Sequence, residues 1–285
     1  MLFATAAFTG MAAFVKLARE DGMTTPMVMF WRMAPGLVWI AVAMWLRGLA
    51  LRPERPGLMA LRCLFGLTAM ASYFWAMRQL TLVQNAVLHL LQPVFIAVLA
   101  PFVLGERLRR EAIVALIIAI VGAVAVIRPG GEVGEVPLLA GLVGAAAALA
   151  SAFAHMTVRR VTQYDAPERV VFYFSLAVTV LTGGLGLATG ELLTLPAGLA
   201  PGRAMLEVVG MAGFGLAGQL LMTRAYREAQ APLVAIVAYA SVPLSFLLDL
   251  LAWGTLGGLS QLLGAVLMVV AGILLVRGRG ETPAP

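Results

Sequence analysis

Ten apolar stretches follow one another along the chain, with short polar connections between them. Runs near 20 apolar residues are long enough to cross a bilayer as helices. The pattern predicts spans at 2–18, 27–46, 58–77, 82–104, 111–127, 137–158, 168–189, 204–223, 231–253 and 259–276. The longest connection runs roughly from Gly190 to Arg203, so no stretch is left for a soluble domain. The first span is short and lacks a leading basic segment. Reading it as a signal-peptide core would leave an odd number of spans, so a missing front to this span is the expectation preferred here.

The second five stretches echo the first five. The chain reads A-M-R from Ala76 and A-Y-R from Ala225. The helix after Ala76 ends at Leu104-Gly105-Glu106, and the helix after Ala225 ends at Trp253-Gly254-Thr255. The two intervals agree, since 105 − 76 equals 254 − 225. Pro26 and Pro167 open the second and seventh spans, where the first helical turn tolerates proline. Pro93 and Pro243 interrupt the fourth and ninth spans at places offset by one residue. A five-span unit repeated once must sit upside down relative to its twin. Inverted repeats with helices interrupted in matching positions point to a transporter whose site lies between them. The expected architecture is therefore an all-α membrane protein. Its ten transmembrane helices form two inverted five-helix repeats, 1–130 and 137–277, around a central cavity, with a short tail at 278–285.

Polar residues inside a span cost free energy unless they face protein or water, so their spacing marks inward faces. The fourth span carries Asn85, His89 and Gln92 at i, i+4 and i+7, one face of one helix. The third carries Thr68, Ser72, Trp75 and Gln79; the eighth Gln219 and Thr223, with Tyr226 beyond; the ninth Ser241, Ser245 and Asp249; the sixth Ser151 and His155. The fifth span has no polar side chain from Ala112 to Ile127, and the tenth only Ser260 and Gln261 near its start, so these two are expected at the periphery. Serine and threonine also bond their own helix backbone, which weakens each as a lone signal. Small residues at helical spacing, such as Gly144, Ala148 and Ala152 or Gly210 and Gly218, predict close helix packing.

The substrate-binding candidates are Asn85, His89, Gln92, Trp75, Ser72, Arg32, Tyr239 and Gln219. Arg32, beside Trp31, either binds an anionic group such as a carboxylate or snorkels to the interface. Tyr239 and Trp75 supply apolar surface with polar tips. Free histidine titrates near neutrality, so His89 and His155 are coupling candidates for a proton or other ion, as is Asp249, read as the carboxylate lying well inside a span.

The chain is 61% hydrophobic and only 12% charged, with a mean hydropathy of +0.95. A soluble domain carries about 25% charged residues. The net charge of +6 reads as topology rather than as a nucleic-acid partner, because the basic residues are not evenly distributed. With both termini in the cytoplasm, Arg47, Arg52, Arg55, Arg62, Arg107, Arg109, Arg110, Arg159, Arg160, Arg169, Arg224, Arg227, Arg277 and Arg279 fall on the inner side. Lys16, Arg19, Arg78, Arg128 and Arg203 fall on the outer side. That bias follows the positive-inside rule and predicts a multi-pass bacterial inner-membrane protein. Cys63 is the single cysteine and allows no internal disulfide. No P-loop, nucleophile elbow, H-E-x-x-H or intramembrane acidic pair for Mg²⁺ is present, so neither an enzyme, a metal site nor a cofactor is expected.

The A-M-R at Ala76, the run Gln92-Pro93-Val94-Phe95, the run Leu104-Gly105-Glu106-Arg107 and the second-copy Thr223-Arg224-Ala225-Tyr226-Arg227 together carry a family resemblance. Over nearly its whole length the chain resembles the EamA-type branch of the drug/metabolite transporter superfamily. Thr255 stands where the family has an acid after the glycine, and Ala238 stands where an acid often precedes Tyr239. Phe30-Trp31-Arg32 and Leu61-Arg62 resemble a sub-branch that includes importers of S-adenosylmethionine and riboflavin, while other members export amino acids. The resemblance implies ten helices, a cavity built mainly by helices 1–4 and 6–9, and a helix-capping role for Glu106. The expected function is alternating-access efflux of amino-acid-like metabolites, with nutrient uptake as the alternative and an intramembrane enzyme as a more distant one. The expected partners are a small-molecule substrate and membrane lipid, and the chain is expected to be a monomer or homodimer.

Overall fold

The computed structural model describes residues 1–76, 88–106, 110–127, 138–192, 196 and 198–253, and positions 263–264, 266–267, 269–271 and 273–274. Every regular element among them is helical: α1 (Leu2–Glu20), α2 (Thr25–Leu46), α3 (Pro56–Ala76), α4 (Leu91–Val103), α5 (Arg110–Ile127), α6 (Leu138–Val161), α7 (Pro167–Ala188), α8 (Pro201–Glu228), α9 (Ala231–Val237), a 3-10 turn (Ala238–Ala240) and α10 (Ser241–Trp253). Five of these, α1, α2, α6, α7 and α8, are long and apolar enough to cross a membrane. Prolines at the first or second position start α2, α7, α8 and α9, where the missing N–H would have no helical partner anyway.

The fourth and ninth spans break where their prolines predict. Pro93 is the third residue of α4, and Pro243 is the third residue of α10. A turn at Leu90 precedes the first, and the 3-10 turn precedes the second. The Tyr239 hydroxyl, in the second break, donates to the Leu90 carbonyl, in the first, at 2.7 Å. One break thus supplies the partner for a backbone acceptor at the other.

Helix pairing crosses the two sequence halves. The main pairs are α1 with α8, α3 with α6, α2 with α7, α2 with α8, α4 with α6 and α4 with α9. Moving each helix five places along turns α1–α8 into α6–α3 and returns α2–α7 and α4–α9 to themselves, whereas α2–α8 becomes a smaller contact of α7 with α3. Small residues make the close approaches. The Phe14 ring lies over Gly210 and the Phe8 ring over Gly218, and a Cβ at Gly218 would come 2.8 Å from Phe8. Gly144, Ala148 and Ala152 are buried along α6. At the periphery, α5 exposes Ile113, Val114, Ile117 and Val121 and buries Ala115, Leu116 and Ala119 against Ala97, Ile236, Tyr239 and Ala271.

The outer surface is apolar. Trp45 is 78% exposed and Phe102 84%, and Val38, Leu142, Leu181, Leu206 and Val209 are also open. So large an exposed apolar surface suits lipid, not water. Ion pairs gather at the helix ends. Glu106 accepts from Arg159 Nε at 2.8 Å and from the Ala231 N–H at 2.7 Å, while Arg159 also donates to the Tyr226 and Arg227 carbonyls. The left-handed Gly105, φ 71°, turns the chain after α4 to bring Glu106 there. At the same end Glu168 accepts from Arg224 and Arg47, and Asp165 from Arg169 and the Glu54 N–H. At the opposite end Arg203 pairs with Asp21 and Glu207, joining α1 to α8.

Candidate functional site

Between the two ends, helices of both halves bring polar side chains together. Gln92 on α4 and His155 on α6 are hydrogen-bonded through the amide nitrogen and Nδ1. An amide N–H donated to Nδ1 leaves the ring's own proton on Nε2. The His155 ring stacks on Tyr226 of α8 at 5.1 Å, with 19° between the planes. His89, just before α4, meets the Tyr73 ring of α3 edge-on at 5.3 Å. The α3 guanidinium of Arg62 lies 4.1 Å from the Phe174 ring centroid on α7. Gln92 is 6% exposed and Gln219, on α8, is 7%. The cluster offers neutral donors and acceptors, aromatic faces and cations in an apolar setting, the composition of a small-molecule site.

Each expected residue has a definite place or lies beyond description. His89, Gln92 and His155 share the cluster with Tyr73 and Tyr226. Arg32 is half-buried on α2, near Tyr73 and against Gly215, and its Nε has no acceptor. Tyr239 is buried, and its hydroxyl bonds the Leu90 carbonyl. Ser72 is half-buried in the last turns of α3, and Trp75 is 36% exposed. Thr68, of the same stripe, is exposed, and the buried residues of α3 are Met59, Arg62, Gly66 and Ala76. Asn85 lies outside the described residues, as does the side chain of Asp249 on α10. Several span threonines take the backbone option: Thr9, Thr182 and Thr223 donate to the carbonyl four residues earlier.

Two charged residues carry more than their sequence positions suggested. Arg62 was grouped with the inner connections, yet it is 4% exposed. Pro56 opens α3, so Arg62 stands six residues, about 9 Å, into the helix. Asp249 was read as the one carboxylate well inside a span, but Glu207 is 1% exposed on α8. That helix starts at Pro201, earlier than expected, so Glu207 lies nearly two turns inside it. Proline-defined helix starts were the available signal for both. Among the described residues no group of three or more His, Cys, Asp or Glu is placed to hold a metal ion.

Residues 1–128 match the model of the EamA-like transporter family. The pseudopaline exporter CntI of Pseudomonas aeruginosa is 28% identical, with 97% of this chain and 94% of the exporter aligned. The family match covers the first 128 of the 285 residues. A riboflavin transporter of Brucella anthropi is 23% identical over 90% of both chains. A solved crystal structure shares the fold of this chain with a TM-score of 0.78 at 22% identity, covering 98% of it and 99% of the solved chain. The similarity to known transporters therefore runs through the second half as well as the first.

Proposed function

We propose that this chain exports small amino-acid-like metabolites across the bacterial inner membrane by alternating access, with both termini in the cytoplasm and two inverted five-helix repeats framing the site. One observation carries this reading: α3, α4, α6 and α8, two from each half, contribute Tyr73, Gln92, His155 and Tyr226 to one polar cluster, with His89 just ahead of α4. A buried polar cluster in a lipid-facing bundle marks a substrate or ion path. The four helix pairs that a shift of five helices returns support the repeat. The likeness to an exporter of pseudopaline supports the outward direction. His89 and His155 are the proposed sites of proton coupling, and Asn85, Gln92, Ser72, Trp75, Gln219, Tyr239 and Arg32 complete the proposed substrate surroundings.

The test is transport in cells carrying His89→Ala or Ser175→Ala. Ser175 is buried on α7, with its hydroxyl 4.0 Å from the Met33 sulfur. Export falls sharply in the first variant and stays near wild type in the second. Equal rates in both variants would remove His89 from the site. Accumulation of a metabolite in expressing cells, instead of its loss, would turn the reading toward uptake, as for the riboflavin transporter relative.

A further inference from the structure

Arg62 and Arg169 are the most deeply buried basic side chains among the described residues, 4% and 8% exposed. Arg169 is fully occupied: Nη1 donates to Asp165 at 2.5 Å and Nε to the Ala50 carbonyl at 2.8 Å. Arg62 has no hydrogen-bond acceptor among the described residues, and its Nε is sealed from solvent without one. A guanidinium keeps its proton under all working conditions. A bare buried cation is among the most costly groups a protein can hold.

The surroundings do not discharge it. The Phe174 ring, 4.1 Å away, attracts the cation through its π face but carries no negative charge. The helices packed on α3 are α6 and α7. On α6 the facing titratable group is His155, which lies within electrostatic reach of Arg62 and binds Gln92. On α7, Glu168 is held by Arg224 and Arg47, Arg169 is paired with Asp165, and Tyr173 donates to the Leu51 carbonyl. On α3 itself the neighbour is Cys63. Glu106, Asp165 and Glu168, at this end, are each paired with another arginine, and among the described residues no carboxylate is paired with Arg62.

We infer that Arg62 receives a carboxylate of the transported metabolite, an inference that rests on the transport reading above. The planar fork of N–H donors matches a carboxylate with two parallel hydrogen bonds. One monoanion also neutralises one cation, whereas a phosphate dianion would leave an uncompensated negative charge in the same low-dielectric setting. The site adjoins the Gln92–His155 pair, so the remaining polar groups of the metabolite meet neutral donors and acceptors there.

The test uses the full chain purified in detergent, with thermal unfolding followed at pH 8 against lactate, glutamate and inorganic phosphate at matched ionic strength in sodium chloride. Either carboxylate raises the unfolding temperature of the wild type saturably, and phosphate does not. Arg62→Gln raises the half-saturating concentration roughly tenfold or more, and Arg62→Lys, which keeps the charge and loses the fork, raises it by a smaller factor. The lysine variant carries the test if the glutamine variant does not fold. Carboxylate stabilisation that is absent in the wild type, or unchanged in both variants, would overturn the assignment, as would stabilisation by phosphate alone. Counterflow of the bound carboxylate in liposomes separates the two levels. Binding that needs Arg62 without counterflow leaves the site standing and removes the transport reading, while counterflow indifferent to Arg62 does the reverse.

Discussion

Glu106 offers the sharpest stability test in the bundle, because one carboxylate joins three elements. Its Oε1 accepts from Arg159 at the end of α6 at 2.8 Å, and its Oε2 accepts from the Ala231 N–H at the start of α9 at 2.7 Å. The ion pair is mostly buried, with side-chain exposures of 17% for Arg159 and 12% for Glu106. A hydrogen bond to a charged group contributes about 1.5–3 kcal/mol. Glu106→Ala removes two of them and leaves the Ala231 N–H without its partner. Arg159 is not stranded, because the Tyr226 and Arg227 carbonyls remain at 3.2 and 2.6 Å. The expected loss is therefore about 3–4 kcal/mol, below the sum of two independent full-strength bonds. Glu106→Gln keeps one acceptor oxygen and loses the charge, so it should cost roughly half as much. Denaturant or thermal unfolding of the purified protein measures both. Combining Glu106→Ala with Arg159→Ala should be clearly less damaging than the two losses added, since the partners share one network. Equal stability of the alanine and glutamine variants, or strict additivity in the double variant, would refute this account of the joint.

Two further tests probe the helix contacts. On α8, Gly210→Ala places a Cβ 2.5 Å from the Phe14 ring and should destabilise by about 1–3 kcal/mol, whereas Gly213→Ala meets nothing within 4 Å and should stabilise by about 0.5–1 kcal/mol; unfolding of the two single variants reads the opposite signs. At the other end, Arg203→Ala leaves the buried Glu207 carboxylate beside Asp21 without its cation. The unfolding temperature should fall, and adding Glu207→Gln should restore most of it; a double variant no more stable than Arg203→Ala would show that the charge is not the cause.

Much of the fold was legible because lipid simplifies the code. Apolar length located α1, α2, α3, α5, α6 and α7 within about three residues. Pro93 and Pro243 marked the breaks before α4 and α10, and the polarity-free fifth span is indeed peripheral. Pairing was not legible. Gly210 and Gly218 announce a close neighbour, but nothing in α8 alone says that the neighbour is α1 rather than α7. The site was half legible for the same reason. Periodicity placed His89 and Gln92 on one face, but the partner across the bundle, His155 backed by Tyr226, is a tertiary fact. Arg62 and Glu207 were obscured by a counting habit that assigns charges near span ends to the connections. Depth from the helix-starting proline is the better guide, and by that measure both were interior residues.

The phenylalanines lodged over the glycines of α8 also decide what can serve as a moving part. Sliding α1 along α8 would have to lift the Phe8 and Phe14 rings out of their notches, so the two helices travel as one lever. The segment that begins the chain is thereby keyed to a segment some 200 residues later. Under the proposed alternating access, the units that move are therefore not the two sequence halves. A gene cut at the midpoint would yield two fragments that each hold one helix of this pair, and neither could assemble it until it had found the other.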